Sequence, residues 1–335
     1  MAKFNILSID GGGIKGIISA VVIERLERVL RQRTGNSEHK IADSFDLIAG
    51  TSTGAILAGI YLCPGEDGRP KYSASDALKL YIENGEFIFK RGMPWKFRTL
   101  LGLLGPKYSN QNLKILLTNY LGNLKINEFV KPCLITSYDM GRGSPAIFTS
   151  WIGRASSHNI YAKDALLASA AAPTYFPPVR IESKRDNKNY NNSFFIDGGV
   201  FSNNPSMCAV AEALKFTENH RIEDISLLSV GNIRTDENYE YEKAVNYGLL
   251  KWVLPAIDVM MDGSIQTVDD QLTAMYRSVG RSCQYLRVDA GGLPHGDAPR
   301  MDDASFENIE KLIKMGKLLE YESEHKLRKF AEMFC

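Results

Sequence analysis

Ser52 stands at the centre of Gly50-Thr51-Ser52-Thr53-Gly54, the grouping in this chain best suited to nucleophilic chemistry. The run before it, Phe45-Asp46-Leu47-Ile48-Ala49, is apolar and strand-like, and residues 55–62 after it are helix-like. Small residues on both sides let the backbone turn sharply from strand to helix and leave the hydroxyl exposed, as in a nucleophile elbow. At a helix N-terminus the positive end of the helix dipole favours an incipient alkoxide and an oxyanion. The pattern also occurs in ordinary Gly/Ser turns, so its surroundings decide its meaning.

A second turn of the same kind follows Phe4-Asn5-Ile6-Leu7-Ser8-Ile9, an apolar strand candidate that runs into Asp10-Gly11-Gly12-Gly13-Ile14-Lys15-Gly16. Ile18, Val21, Val22, Leu26, Val29 and Leu30 then fall on one face of a helix over residues 17–33. Glycines at a helix N-terminus present backbone N–H groups to an anion, and Lys15 adds a full positive charge. Gly11, Gly13 and Gly16 satisfy the dinucleotide fingerprint, so a nucleotide-binding module is a competing reading. That fingerprint wants an acidic residue at the far end of the second strand, where this chain has the Gly50 to Gly54 elbow instead. A phosphate loop would need Lys-Ser/Thr after the last glycine, where this chain has Ile17. An oxyanion loop beside a nucleophile elbow accounts for both turns.

Phe194-Phe195-Ile196 delivers Asp197 to Gly198-Gly199. An Asp-Gly-Gly is commonly a structural turn. Next to an activated serine it is a candidate general base.

These groups must be carried by a scaffold, and the chain supplies one. Strand-like residues 45–49, 133–138, 147–150, 194–196 and 226–230 alternate with helix-like residues 110–121, 163–171 and Ser206–Phe216. That rhythm predicts an α/β fold with a mainly parallel central sheet and helices on both faces. The elbow and both Gly-rich turns then meet at the carboxyl ends of the strands. We expect a single domain over 1–335, with the motifs in about 4–235 and a mostly helical part, 236–335, integral to the same unit. The amphipathic stretch 303–334 predicts a packing helix, with a homo-oligomer contact as an alternative.

The formal net charge of +1 supplies no long-range field for a nucleic acid polymer. Met1-Ala2-Lys3-Phe4 leads straight into a strand and reads as lacking a signal peptide. No apolar run is long enough to span a bilayer. The five cysteines are scattered and without metal-ligand spacing. Cys133, Cys208 and Cys283 read as small buried hydrophobes in a reducing cytoplasm.

Three ordered blocks, Asp10 to Gly16, Gly50 to Gly54 and Asp197-Gly198-Gly199, give the chain a resemblance to the patatin-like phospholipases. Two softer blocks, residues 171–178 (AAPTYFPP) and Asn203-Asn204-Pro205, match as well, and no motif is recognised beyond about residue 235. The resemblance implies a Ser–Asp dyad without a catalytic histidine, acting on ester bonds of lipids through an acyl-enzyme. Carried over by position, Ser52 is the nucleophile, Asp197 the base, and the amides of Gly11, Gly12 and Gly13 form the oxyanion hole. Lys15 is the loop's basic residue, where many relatives have arginine. No metal or other cofactor is implied. A Ser…Asp…His order through His295 is the alternative triad. The chain is also similar to compact effectors that a cyclic nucleotide activator switches on, although it shows no recognisable nucleotide site.

The implied partner is membrane phospholipid, met from the cytoplasm by peripheral association. A soluble esterase or neutral-lipid hydrolase is the rival within the same chemistry. In residues 86–107 Trp95, Phe97 and other apolar residues interleave with Lys90, Arg91, Lys96, Arg98 and Lys107 against the single acidic Glu86. Such a segment suits shallow insertion among anionic headgroups, and equally a buried insertion whose basic side chains reach out to water. Residues 249–261 read as a core or interface helix, with a membrane surface as the second reading.

Overall fold

Strand β1 (Phe4–Ile9) is apolar on both faces, as a strand in the middle of a covered parallel sheet must be. The computed structural model describes residues 4–90, 105–151, 160–181, 193–216, 221–236, 241–294 and 299–333. Beyond β1 the strands are β2 (Leu47–Gly50), β3 (Cys133–Asp139), β4 (Ser144–Thr149), β5 (Val179–Arg180), β6 (Phe194–Asp197), β7 (Ile225–Asp236) and β8 (Tyr285–Pro294). They form one sheet in the order β5-β6-β3-β2-β1-β7-β8, with β4 also on β3. The run from β3 through β2, β1 and β7 to β8 is parallel. Strands β4, β5 and β6 add antiparallel pairs at the β3 end. The fold is thus α/β with a mainly parallel sheet.

The helices are α1 (Gly16–Thr34), α2 (Thr53–Tyr61), α3 (Ala74–Ile88), α4 (Gln111–Leu121), α5 (Ala162–Ser169), α6 (Gly199–Ser202), α7 (Ser206–Phe216), α8 (Tyr241–Ala244), α9 (Leu249–Ser278) and α10 (Phe306–Ala331). Alternate strand residues sort the core into two layers. Leu7, Ile9, Ile48, Leu228 and Val230 pack with α1, α2, α5 and α10 on one face. Phe4, Ile6, Leu47, Ala49 and Leu227 pack with α7 and the end of α9 on the other. The period of two along each strand forces this division. No described helix is long and apolar enough to cross a membrane.

The part beyond residue 236 contributes β8, which pairs with β7, and α10, which lies on α1. Arg25 of α1 holds Glu324 of α10 at 2.6 Å. Helix α3 and strand β8 are absent from the expectation above, as are the short β5, α6 and α8. Helix α3 opens on a capping box, Ser73 with Asp76, a signal present in the sequence. Strand β8 carries Arg287 and Asp289 within its run, which hid its strand character. Cys133 is buried, but Cys208 is half-buried and Cys283 is exposed in the turn before β8, so the reading of all three as core residues fails.

Candidate active site

Ser52 has φ +54° and ψ −119°, a backbone conformation that an L-residue adopts only when its surroundings enforce it. The enforcing contacts are tight. A Cβ on Gly50 would lie 2.3 Å from the carbonyl oxygen of Gly54, and one on Gly54 would lie 2.2 Å from that of Ile9. Only glycine at both positions lets the β2–α2 turn press against β1. The Ser52 N–H donates to Ser169 Oγ at 2.9 Å, which fixes the turn from α5. Thr51 Oγ1 donates to the Ser202 carbonyl at 2.7 Å and lies 2.6 Å from Thr136 Oγ1, tying the same turn to β3 and α6.

Asp197 ends β6, which places its carboxylate beside the elbow. The Ser52 side chain lies near enough to this carboxylate to favour its ionised form. Asp197 Oδ1 also accepts the Gly199 N–H at 2.7 Å. Burial pushes the carboxyl up to about 6, although Ser52 and the bond from Gly199 pull the other way. Neither described histidine lies here. His39 bonds Ser44 at 2.8 Å, and His325 is on α10. His295, the histidine of the triad alternative, is outside the described residues.

The Gly-rich loop leaves β1 against the same turn, and a Cβ on Gly11 would stand 3.2 Å from Ser52 Cβ. One expectation is corrected here. The Gly11 N–H donates to the Asn203 carbonyl at 3.0 Å, so that amide is already engaged. The Gly11 carbonyl accepts Asn232 Nδ2 at 2.8 Å and Asn203 Nδ2 at 3.4 Å. Further along, Gly13 has φ +59° and a Cβ there would meet the Met301 carbonyl at 2.2 Å, while the Ile14 N–H donates to that carbonyl at 2.9 Å. Among the described residues the amides of Gly12 and Gly13 have no acceptor. The first amide of α2, on Thr53, is likewise open, as a helix N-terminus requires. Lys15 is half-buried where the loop enters α1.

Behind the loop, Asp10 is buried and bidentate with Arg287 of β8, whose Nη1 reaches Asp10 Oδ1 at 2.9 Å. Burial raises the Asp10 carboxyl to about 6 against the pull of that guanidinium. Arg287 also donates to Ser229 Oγ at 2.7 Å and to Asp289 at 3.1 Å. Three strands are thereby pinned at the base of the loop. Asn232, Asn203, Ser169 and Arg287 carried no sequence signal for these contacts, apart from the Asn203-Asn204-Pro205 block.

The cleft over Ser52 is apolar and has two arms. The first runs from Gly13 and Thr53 past Ile56 and Tyr81 to Phe89 and Leu113. The second runs from Asp197 and Gly199 past Val200 to Ile257, Met260 and Met261 of α9. Ser52, Ala172, Tyr175 and Met301 belong to both. None of the described side chains of residues 251–261 is fully buried, so the core reading fails there, while an interface helix remains open. Met260 is 57% exposed, Trp252 and Val259 are exposed as well, and this part of α9 walls the cleft. The expected membrane contacts Trp95, Lys96, Phe97 and Arg98 lie outside the described residues.

Comparison with known proteins shows the family. The model of the family described as patatin-like phospholipase matches residues 7–210. Patatin-like protein 2 of Oryza sativa subsp. indica is 32% identical over 94% of this chain and 83% of its own length. Patatin-like protein 2 of Arabidopsis thaliana is 34% identical over 93% and 81%. The crystal structure of VipD from Legionella pneumophila superposes on 96% of this chain and 66% of that one at 11% identity. The TM-score of that superposition is 0.41. The chain belongs to the patatin-like phospholipase family and is a lipid acyl hydrolase.

Proposed function

We propose that Ser52 and Asp197 form a two-residue catalytic unit that hydrolyses ester-linked fatty acids of membrane phospholipids through an acyl-enzyme. The observation that carries this reading is the strained, glycine-held Ser52 beside the buried Asp197 carboxylate in one apolar cleft. A carboxyl raised to about 6 is a stronger base than an ordinary one and is still ionised at neutral pH.

In the first half-reaction Asp197 takes the hydroxyl proton as Ser52 Oγ bonds to the ester carbonyl carbon. The carbonyl oxygen becomes an oxyanion facing the Gly12, Gly13 and Thr53 amides, with the Lys15 charge behind the loop. The intermediate collapses, the carbon–oxygen bond to the alcohol breaks, and Asp197 returns its proton to the departing oxygen. Water then repeats the sequence on the acyl-enzyme and releases the fatty acid. The strained serine backbone is held by Gly50, Gly54 and Ser169, so the hydroxyl needs no reorganisation to reach this geometry. A nucleotide-binding role for the Gly11 to Gly16 loop is the weaker reading, since Gly11 and Ile14 have already engaged their amides.

Membrane phospholipid as substrate, peripheral binding and a cyclic nucleotide trigger rest on the resemblance alone. The test is fatty-acid release from liposomes, with and without a panel of cyclic nucleotides, by wild type, Ser52→Ala and Asp197→Ala. Both variants should lose activity by about a thousandfold or more. Hydrolysis of a soluble short-chain ester with no action on liposomes would support the soluble-esterase alternative.

A further inference from the structure

The two arms meet the reacting carbon from chemically different sides. In the tetrahedral intermediate the carbon carries Ser52 Oγ, the oxyanion, the acyl chain and the alcohol oxygen. The oxyanion must face the open amides, and Gly13 and Thr53, which supply two of them, line the first arm. The alcohol oxygen must face the group that returns its proton, and Asp197 lines the second arm. We propose that the first arm receives the acyl chain and the second receives the departing alcohol. Since the second arm is as apolar as the first, the preferred alcohol itself carries hydrocarbon, as a lysolipid does and a short water-soluble alcohol does not. This assignment rests on Ser52 as nucleophile and Asp197 as base.

The walls of the arms differ in kind, and that sets their selectivity. The acyl arm is closed by rings: Phe89 packs on Tyr108 at 5.4 Å and on Phe176 at 6.0 Å between centroids. Rings and branched side chains hold one shape, so this arm discriminates sharply on chain length. The alcohol arm is walled by Met260 and Met261, and the Met261 methyl carbon lies 3.6 Å from where a Gly199 Cβ would be, beside the base. Unbranched thioether chains repack around different shapes, so this arm is tolerant. Phe89 and Met261 are thus the specificity residues of opposite sides of one ester bond.

Two substrate series separate the arms. In p-nitrophenyl butyrate and p-nitrophenyl laurate only the acyl chain changes; in ethyl butyrate and dodecyl butyrate only the alcohol changes. Phe89→Ala should move the laurate-to-butyrate ratio of kcat/KM by about tenfold, and Met261→Trp should lower the dodecyl-to-ethyl ratio by about tenfold. Each substitution should move the other ratio by no more than about twofold. Leu113→Ala and Ile257→Trp repeat the test from a second wall of each arm should either first variant fold poorly. Crossed responses, or equal movement of both ratios by each substitution, would overturn the assignment while leaving the dyad standing. Retention of hydrolysis in Ser52→Ala would instead remove the reading beneath it.

Discussion

Asn232 donates its side-chain amide to the carbonyl oxygen of Gly11 at 2.8 Å, and a trans peptide then turns the Gly12 N–H the opposite way. Asn203 grips the same residue twice, taking the Gly11 N–H on its carbonyl and adding a longer bond to the Gly11 oxygen. One peptide unit is clamped on its carbonyl side, and the amide that it aims is an oxyanion donor in the mechanism above.

Asn232→Ala should therefore act on turnover. Losing one well-aimed oxyanion donor costs about a hundredfold to a thousandfold in kcat, and a donor left in place but poorly aimed should cost about tenfold or more of that. KM should change little, because the amide acts on the charge that develops in the transition state. Steady-state kinetics on a soluble ester, with thermal unfolding as a control, checks this. A rise in KM at constant kcat would mean that Asn232 shapes the substrate site instead.

Asp197 makes a paired prediction about pH. As a base it works only when ionised, so kcat/KM should rise with pH through about 6 and then level off. The same raised carboxyl has the opposite effect on folding. Its folded value lies above the ordinary 3.8, so its contribution to stability is whole below that pH and is lost as pH rises through about 6. Asp197→Asn removes the buried charge and should be more stable than wild type at pH 8, by up to about 3 kcal/mol, with the difference fading below about pH 4. Urea unfolding at both values measures it. Equal stability at pH 8 would show that the carboxylate is well solvated in the folded protein.

Arg287 and Asp10 form an ion pair that is buried on both sides. Arg287→Met leaves Asp10 buried without its cation and should destabilise by about 3–5 kcal/mol. Asp10→Asn combined with Arg287→Met should recover part of that loss, since no uncompensated charge remains. Denaturant unfolding of both variants decides it. A double variant worse than the single would mean that the pair acts chiefly through the bonds to Ser229 and Asp289.

Much of the site was legible because its chemistry forces residue type. An elbow this tight needs glycine at positions 50 and 54, and the Asp-Gly-Gly turn frees a carboxylate, so both wrote themselves into the sequence. Strand β1 and helix α7 were legible to the residue, since one is mainly apolar and the other amphipathic. Strand β8 was not, because Arg287 and Asp289 break its apolar run and are tolerated only through Asp10, 277 residues away in sequence. The engaged Gly11 amide was hidden for the same reason: its acceptor, Asn203, lies in a distant segment. Helix α9 runs on to Ser278 through a polar stretch, and its placement over the cleft is a tertiary fact that the apolar run 249–261 could not reveal.

The measurement closest to the central claim is trapping of the covalent intermediate by a fluorophosphonate, read by intact-protein and peptide mass spectrometry. Wild type should gain one adduct, located on the peptide that contains Ser52. Ser52→Ala should gain none, Asp197→Ala should label at least about a hundredfold more slowly, and His295→Ala should label like wild type. An adduct on another residue, or loss of labelling in His295→Ala with labelling retained in Asp197→Ala, would contradict the Ser52–Asp197 dyad.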